Sequence, residues 1–314
     1  MLSFLKRSPA AAGRMGVYLS QAGIAVACVE DGKERPRLNA CAFRPYDGDR
    51  APSAQLAAIV RELGLGRLSV SAVARPGDYQ LVMVEAPQVQ PAELRAAVRW
   101  RLGDLIDFNV EDAIVDVFDL PPQSRRGQQL SMYAVAARRV AVQEVVDTVS
   151  AGAPGLDVID VPELCLRNLA IHLPQDAVGG VALLAIEDEH AELVLTRHTQ
   201  LFLARHIEFP RAVDFGDGPA RGGPDPEAVA LELQRSIDYY ERHFDQPPIA
   251  DLIIAPATER AQRLAEGLRR ETGFRVSTLD LGAVLDLPAG LDAEVAGQCL
   301  LAIGAALRTE KTSL

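Results

Sequence analysis

The chain has 314 residues, of which 48% are hydrophobic and 24% are charged, a composition typical of globular proteins. A chain of this length is expected to form about two domains, each large enough to bury a core. Its 43 acidic residues outnumber the 32 Lys and Arg and give a formal net charge of −11, which argues against a general nucleic-acid binder and against attachment to anionic lipid by overall charge.

The first part of the chain is predicted to form a three-stranded meander followed by a helix and two more strands. Three runs of β-forming residues are separated by short turns, at 15–20, 23–29 and 37–45. Apolar residues then recur at steps of three and four through residues 56–63, which is typical of an amphipathic helix. Two further β-rich runs follow, at 68–74 and 79–85.

The same order begins again near residue 179. Three more β-rich runs are separated by short turns, at 181–187, 191–197 and 201–209. A long helix is then predicted, and a strand, a helix, a strand and a terminal helix follow it, at 227–245, 250–255, 258–271, 274–279 and 293–308. Because both halves open with a meander followed by a helix and a strand, the sequence predicts a duplicated α/β protein with a cleft between two lobes.

An insertion separates the two repeats. It is predicted to contain a helix at 91–106, two strands at 113–120 and 130–136 and a helix at 139–150, before a strand and a helix at 156–161 and 162–173. Pro91 suits the first turn of the first of these helices. Since the second half has no counterpart of this segment, we predict a small extra subdomain on the first lobe.

The scarcity of lysine excludes several catalytic classes. The three lysines, Lys6, Lys33 and Lys311, all lie outside the predicted core segments, whereas a phosphate-loop, kinase or Schiff-base lysine needs its ammonium group inside a formed site. The sequence also lacks the G-x-S-x-G, H-E-x-x-H and G-x-G-x-x-G motifs. Its four cysteines are far apart, which is typical of reduced thiols in a cytosolic protein. We therefore expect no catalytic residues.

Three histidines, His190, His198 and His206, follow one another at intervals of eight residues. This spacing suggests a metal site, but strands of equal length in a meander produce it as well. No carboxylate or thiol completes a recognisable ligand set with them. The His206-x-Glu208 pair resembles the start of a zinc-deaminase motif, but the Pro-Cys-x-x-Cys half is missing. We therefore expect no bound metal.

Several stretches of the sequence carry a family resemblance. Residues 79–121, YQLVMVEAPQVQPAELRAAVRWRLGDLIDFNVEDAIVDVFDLP, resemble the MshI family, which takes part in the biogenesis of type IV pili of the mannose-sensitive haemagglutinin class. Residues 232–249 and 299–308 are similar to it too. The wider relatives are PilM and the cytoplasmic part of GspL. The resemblance implies a duplicated, two-lobed α/β fold of the actin-like (ribonuclease H-like), FtsA-related class, with an extra α/β subdomain inserted in the first lobe.

This fold divides the chain into three parts. We expect residues 1–178 to form the first actin-like lobe, with the inserted subdomain at about 87–150. Residues 179–290 are expected to form the second lobe. The C-terminal helix within 291–314 is expected to return to the first lobe.

PilM-type proteins bind ATP through two hairpins of the type D-I-G-x-x-[ST], in which an Asp organises Mg²⁺ and small turn residues admit the phosphates to backbone amides. The first hairpin of this chain keeps Gly16 and Ser20, but Tyr18 stands where the Asp is expected. In the second hairpin Ala185 takes the Asp position and Glu187 takes the Gly position.

Further positions in the nucleotide loops also depart from the PilM pattern. Asp188 and Glu189 follow Glu187 and add negative charge where a polyphosphate would lie. Pro256 and Ala257 occupy the turn where paired glycines are expected near the adenosine. We therefore expect a cleft retained for its shape and no cofactor. ATP with Mg²⁺ remains the alternative, because a metal held by the acidic turn would offset its charge.

The resemblance also implies a partner surface. In PilM, the cytoplasmic tail of a membrane-anchored partner docks in a groove beside the extra subdomain, and the comparable surface here involves the helix at 91–106. Trp100 is the sole Trp of the chain and lies among Arg95, Arg99 and Arg101. Trp and Arg are enriched at interface hot spots. The other interpretation is that Trp100 packs into the subdomain core and the arginines are solvated, and the helical phase leaves both open.

The function expected from the sequence is that of a non-catalytic actin-like scaffold in a type IV pilus machine of the haemagglutinin class. It would bind the tail of a membrane partner similar to MshJ or PilN and link it to the cytoplasmic motor complex, with the assembly ATPase as a further candidate partner, and it would bind no nucleic acid. The sequence has no signal-peptide pattern and no apolar run of about 20 residues, so we expect a cytoplasmic protein peripheral to the inner membrane. The alternatives are an ATP-dependent switch and, more distantly, a sugar-kinase-like enzyme.

Overall fold

The structure is a computed structural model that describes residues 13–121, 130–173, 180–187, 190–209 and 224–310. The strands in these ranges are β1 (Arg14–Leu19), β2 (Gly23–Glu30), β3 (Arg37–Pro45), β4 (Ser69–Val73), β5 (Tyr79–Glu85), β6 (Ala113–Asp119), β7 (Ser131–Arg138), β8 (Leu156–Asp160), β9 (Gly180–Ile186), β10 (His190–Arg197), β11 (Gln200–Glu208), β12 (Asp251–Ala255) and β13 (Arg275–Thr278).

The helices in the same ranges are α1 (Pro52–Glu62), α2 (Leu94–Leu102), α3 (Arg139–Gly152), α4 (Pro162–Ala170), α5 (Pro226–Phe244), α6 (Glu259–Glu271), α7 (Leu281–Val284), α8 (Ala293–Gln298) and α9 (Leu300–Ala306). Among these described segments, no helix is both long and apolar enough to cross a bilayer.

Two five-stranded sheets repeat one topology. The first has the order β3-β2-β1-β4-β8 and the second has the order β11-β10-β9-β12-β13. In each sheet the three meander strands pair antiparallel. The last two strands of each order, β4 and β8 in the first sheet and β12 and β13 in the second, pair parallel with their neighbours. Short turns can join only antiparallel neighbours, whereas a parallel neighbour needs a crossover connection, which α1 supplies in the first sheet. The predicted repeat matches the second sheet and the first four strands of the first sheet. The run at 79–85, predicted to close the first repeat, is instead β5 of another sheet, and β8, predicted in the insertion, completes the first sheet.

Helices α4 and α9 lie between the two sheets. Helix α9 packs on β1 and β2 of the first sheet, while α4 packs on β10 of the second sheet and on α9. The largest hydrophobic cluster therefore includes residues of both lobes. Helices α1 and α3 cover the outer face of the first sheet, and α5 and α6 cover the outer side of the second.

A third sheet, with the order β5-β7-β6, combines the two strands predicted in the insertion with β5, which was predicted to close the first repeat. Helix α2 covers it with Val98 and Leu102, which are fully buried. The helix predicted at 91–106 is shorter here, because a 3₁₀ turn precedes Leu94 and the poor helix formers Gly103 and Asp104 follow Leu102. Leu105, which falls within the predicted helix, lies beyond the end of α2 and is exposed.

The third sheet also contacts the second lobe. The backbone amide of Ala204 in β11 donates to the hydroxyl of Tyr133 at 2.9 Å, and the hydroxyl of Tyr239 in α5 donates to the sulfur of Met83 at 3.0 Å. The single terminal helix predicted at 293–308 is divided at Cys299 into α8 and α9. Helix α7 was missing from the prediction, because four residues are too few to show a periodicity.

Candidate functional site

The cleft between the lobes is a cavity of about 610 Å³. Five of the residues that the resemblance placed in nucleotide loops line it, namely Tyr18, Ser20, Ala185, Glu187 and Pro256. Ala257 lines a separate apolar pocket of about 360 Å³ that adjoins the cleft at Pro256. The tertiary structure therefore brings these loops together around one space, as the resemblance implies.

The turn between β1 and β2 satisfies its own backbone. The amides of Ala22 and Gly23 donate to the Ser20 hydroxyl at 3.2 and 3.0 Å, and that hydroxyl donates to the Gly23 carbonyl. These amides are thus engaged within the turn, whereas a phosphate-binding turn directs its amides at the ligand. Tyr18 fills the position of the expected Asp with a buried ring, and burial raises the pKa of its hydroxyl.

Gly16 has a packing role in this structure. A Cβ atom at Gly16 would lie 1.8 Å from the carbonyl oxygen of Ala302 in α9. Gly304 allows the second close approach of α9, since a Cβ there would lie 2.3 Å from the carbonyl oxygen of Cys165 in α4. The glycine that the resemblance assigned to a nucleotide hairpin is therefore required by the contact between β1 and α9.

The opposite side of the cleft carries the residues that replace the second hairpin motif. Ala185 offers no carboxylate to a metal, and the Glu187 amide donates to the His190 carbonyl at 2.9 Å. Asp188 and Glu189 lie outside the described residues. Of the described residues that line the cleft, Arg75 is the one with a guanidinium, and it forms ion pairs with Asp78 and Glu144.

A cluster of polar side chains lies where β10 and β11 face the start of α4. The Tyr79 hydroxyl donates to Glu163 at 2.7 Å, and Nδ1 of His206 lies 2.5 Å from Glu192 Oε1. Burial, followed by the neighbouring charge of Glu192, raises the pKa of Glu163 to about 8. The hydrogen bond to Glu192 raises the pKa of His206. The sequence analysis missed this cluster, although the β10–β11 register pairs Glu192 with His206.

The three equally spaced histidines separate in the structure. The rings of His190 and His206 lie 4.7 Å apart, centre to centre. His198 is in the turn after β10, where its φ is +54°. The sequence analysis found no carboxylate to complete a ligand set, whereas Glu192 lies beside both of the clustered histidines.

A second concave surface is a groove of about 710 Å³ between the first and third sheets. It is lined by β6 and β8, which are edge strands among the described strands, and by residues of β7, α4, the β10–β11 hairpin and the segment after α9. Five carboxylates and two arginines lie along it. Arg167 pairs with Glu310, and Arg308 pairs with Asp160.

The remaining carboxylates of the groove, those of Asp116, Asp119 and Asp157, are at exposed positions. The walls are largely apolar and include Val117, Leu120, Val158, Ile159, Val161, Leu164 and Leu201. The groove therefore presents an apolar floor, an acidic rim and two strand edges.

The candidate interface residues of α2 have different environments. Arg95 binds Asp116, Arg99 donates to the carbonyls of Val110 and Ala113, and Arg101 binds Glu85. Trp100 is 89% exposed, so it does not pack into the subdomain core, which was the other interpretation of its position. Neither Trp100 nor the three arginines line the groove.

Several solved structures match this chain over almost its whole length. The PilM-PilN type IV pilus biogenesis complex matches with a TM-score of 0.68 and 21% identity, over 95% of this chain and 98% of that chain. The cytoplasmic domain of EpsL, an inner membrane component of the type II secretion system of Vibrio cholerae, matches with a TM-score of 0.51 and 15% identity, over 95% and 97%. A Bacteroides thetaiotaomicron protein with an actin-like ATPase fold matches with a TM-score of 0.50 and 12% identity. The match covers 96% of this chain and 98% of that chain. No protein-family model and no curated protein matches the chain. The chain thus has the actin-like, two-lobed α/β fold that the resemblance implies.

Proposed function

We propose that this chain is a non-catalytic actin-like scaffold of a type IV pilus assembly machine, of the MshI type in the haemagglutinin class. It binds the cytoplasmic tail of a membrane-anchored partner similar to MshJ or PilN and links that partner to the assembly ATPase. Through this partner it is held at the cytoplasmic face of the inner membrane. The observation that carries the proposal is the groove between the edge strands β6 and β8.

The groove suits an extended peptide. Edge strands have unpaired backbone groups that an added strand satisfies, and the pockets between them select its side chains. The acidic rim favours a peptide with Lys or Arg beside its apolar residues, mainly through Asp119 and Asp157, because Arg95 already pairs with Asp116. Segments on the cytoplasmic side of membrane-spanning helices are enriched in Lys and Arg, which matches the tail of a membrane-anchored partner.

The geometry of the cleft supports the non-catalytic part of the proposal. The amides of the β1–β2 turn are engaged by Ser20, Arg75 is paired with acidic residues, and Glu187 adds negative charge. A triphosphate would find few free donors there and would meet a carboxylate.

Tail binding is tested with a synthetic, dye-labelled peptide of the cytoplasmic tail of the PilN-like protein from the same organism. We expect saturable binding in fluorescence anisotropy, which Asp119→Lys and Asp157→Lys each weaken by roughly tenfold, equivalent to about 1.4 kcal/mol. Asp49→Lys makes the same charge change outside the groove and is the matched control. Equal losses in all three variants would mean that net charge, and not the groove, attracts the peptide.

An ATP-dependent switch is the second candidate, and the apolar pocket beside Pro256 and Ala257 favours it, since its volume of about 360 Å³ falls in the range of small-ligand sites. Isothermal titration with ATP and Mg²⁺ separates the two. The scaffold proposal expects no saturable binding and the same tail affinity with and without nucleotide. Saturable binding that is lost in Ala257→Trp and changes the tail affinity would establish the switch.

A further inference from the structure

The hairpin of β10 and β11 places two imidazoles and a carboxylate on one face. His190 and Glu192 are two residues apart on β10 and therefore point to the same side of the sheet. His206 on β11 is the register partner of Glu192. One nitrogen or oxygen atom of each of the three side chains lies within 4.8 Å of the others.

Two atoms of this group are buried and lack a hydrogen bond among the described residues, Glu192 Oε2 and His190 Nε2. Glu192 is only 5% exposed, and its other oxygen is bonded to His206. A buried carboxylate oxygen without a donor is unfavourable, because nothing replaces the water that it loses on folding. A cation at this point would bind both atoms.

The group is accessible from the cleft. His190 and Glu192 line the cavity of about 610 Å³, and the His206 side chain is 45% exposed. An ion can therefore enter from the cleft and keep water on its open side. A second carboxylate is near, since Glu187 Oε2 lies 3.6 Å from His190 Nε2.

The donor set selects the type of ion. Two imidazole nitrogens and a carboxylate suit zinc and other divalent first-row transition metals. Mg²⁺ and Ca²⁺ prefer sites made of oxygen ligands. The geometry points to a binding site for one divalent transition-metal ion, formed by His190, Glu192 and His206 at the wall of the cleft. This site is separate from the groove that the proposed function uses.

The test uses the full chain, freed of metal with EDTA and dialysed. Isothermal titration with Zn²⁺ is expected to give one site that Mg²⁺ in large excess does not compete for. Co²⁺ is expected to occupy the same site and to give visible ligand-field absorption bands. Weak binding that Mg²⁺ displaces, or no binding to the folded chain, would overturn the inference.

Substitutions at Glu192 and His206 test whether these side chains bind the ion. Glu192→Gln keeps the shape of the side chain and removes its charge, and His206→Asn removes an imidazole from the more exposed position. Each is expected to weaken Zn²⁺ binding at least about 100-fold, since changes to residues that merely support a metal ligand already cost 10- to 100-fold.

His243→Asn is the matched control, because His243 stacks on Tyr239 in α5, away from this group. It is expected to bind Zn²⁺ with unchanged affinity. Circular dichroism checks that each variant is folded. Folded Glu192→Gln and His206→Asn variants that bind Zn²⁺ as the unmodified chain does would place the binding elsewhere, for example at the thiols, and would overturn the inference.

Discussion

Arg308 and Asp160 form an ion pair that joins the second residue after α9 to β8, the edge strand of the first sheet. Nη1 of Arg308 lies 2.8 Å from Oδ2 of Asp160, and the two side chains are 13% and 2% exposed. The amide of Val161 also donates to Asp160, at 3.0 Å. Although Arg308 lowers the pKa of Asp160, burial has the larger effect and raises it. The pair lines the proposed docking groove, so the segment that follows α9 forms part of its wall.

Arg308→Met is expected to lower the free energy of unfolding by about 3 kcal/mol at neutral pH, because it leaves the buried Asp160 carboxylate without its partner. The loss is expected to shrink in acid, where Asp160 becomes protonated. Urea denaturation at both pH values measures the effect. Arg242→Met removes an exposed pair with Asp238 and is expected to change stability by less than about 0.5 kcal/mol. An equal effect of the two substitutions would contradict the prediction.

Gly16→Ala is expected to destabilise the protein by about 3 kcal/mol, the upper end of the usual cost of overpacking, because the added methyl group meets backbone atoms of α9. Gly66→Ala places the same methyl group where no atom lies within 4 Å, so its stability is expected to stay the same or rise slightly. The midpoints of thermal unfolding compare the two variants. A Gly16→Ala variant as stable as Gly66→Ala would show that α9 does not approach β1 this closely.

The free energy of unfolding is expected to fall as the pH rises from about 4.5 to 8 in the presence of EDTA. Glu163 has a pKa of about 8 in the folded chain and 4.5 as a free side chain, so in this range the folded state keeps a proton that the unfolded state has lost. The raised pKa of His206 acts in the same direction, since the protonated form that Glu192 stabilises is lost as the pH rises. Titratable groups that face Glu163 include Tyr79, Glu192 and His206, and also Tyr133 and Cys165.

Glu163→Gln tests this dependence. Gln keeps an acceptor for the Tyr79 hydroxyl but has no proton to lose. The free energy of unfolding of the variant is therefore expected to fall less steeply with pH, so that the variant becomes more stable relative to the unmodified chain toward pH 8. Urea denaturation across this range measures both slopes. Glu271→Gln changes an exposed carboxylate at the end of α6 and serves as the control. Parallel curves for the unmodified chain and Glu163→Gln would rule out a protonated Glu163.

Trp100→Ala is expected to leave the free energy of unfolding within about 0.5 kcal/mol of its original value, because the side chain is 89% exposed. Val98→Ala on the same helix removes two methyl groups from a fully buried position and is expected to cost about 2 kcal/mol. Urea denaturation compares them. Because Trp100 does not line the groove, its substitution is also expected to leave tail-peptide affinity unchanged. A loss of affinity in a stable Trp100→Ala variant would extend the docking surface onto α2.

The local pattern of the sequence predicted much of the architecture. The β-rich runs between short turns became the two meanders, and the apolar steps through 56–63 became α1. These signals are local, since alternation and helical periodicity depend on neighbours within a few residues. The division of the terminal helix at Cys299 and the early end of α2 at Leu102 depend on packing and on single weak helix formers, and the periodicity did not show them.

The sites depended more strongly on the tertiary structure. The resemblance located Tyr18, Ser20, Glu187 and Pro256 on loops around one cleft, and the structure brings them there. The role of Gly16 was not visible, because α9 approaches it from nearly 290 residues away in the sequence. The arginines of α2 were grouped with Trp100 because they are neighbours in sequence, whereas each contacts a different part of the subdomain.

The sequence by itself determined the repeated order of meander, helix and strand, the acidic charge and the residues that stand at the nucleotide-loop positions of the resemblance, all of which are read position by position along the chain. The tertiary structure alone decided that Glu192 lies beside both His190 and His206, and that β6 and β8 line one groove. The first depends on the register of two strands and the second on the packing of two sheets. Both are fixed by contacts between distant segments, so no local pattern contains them.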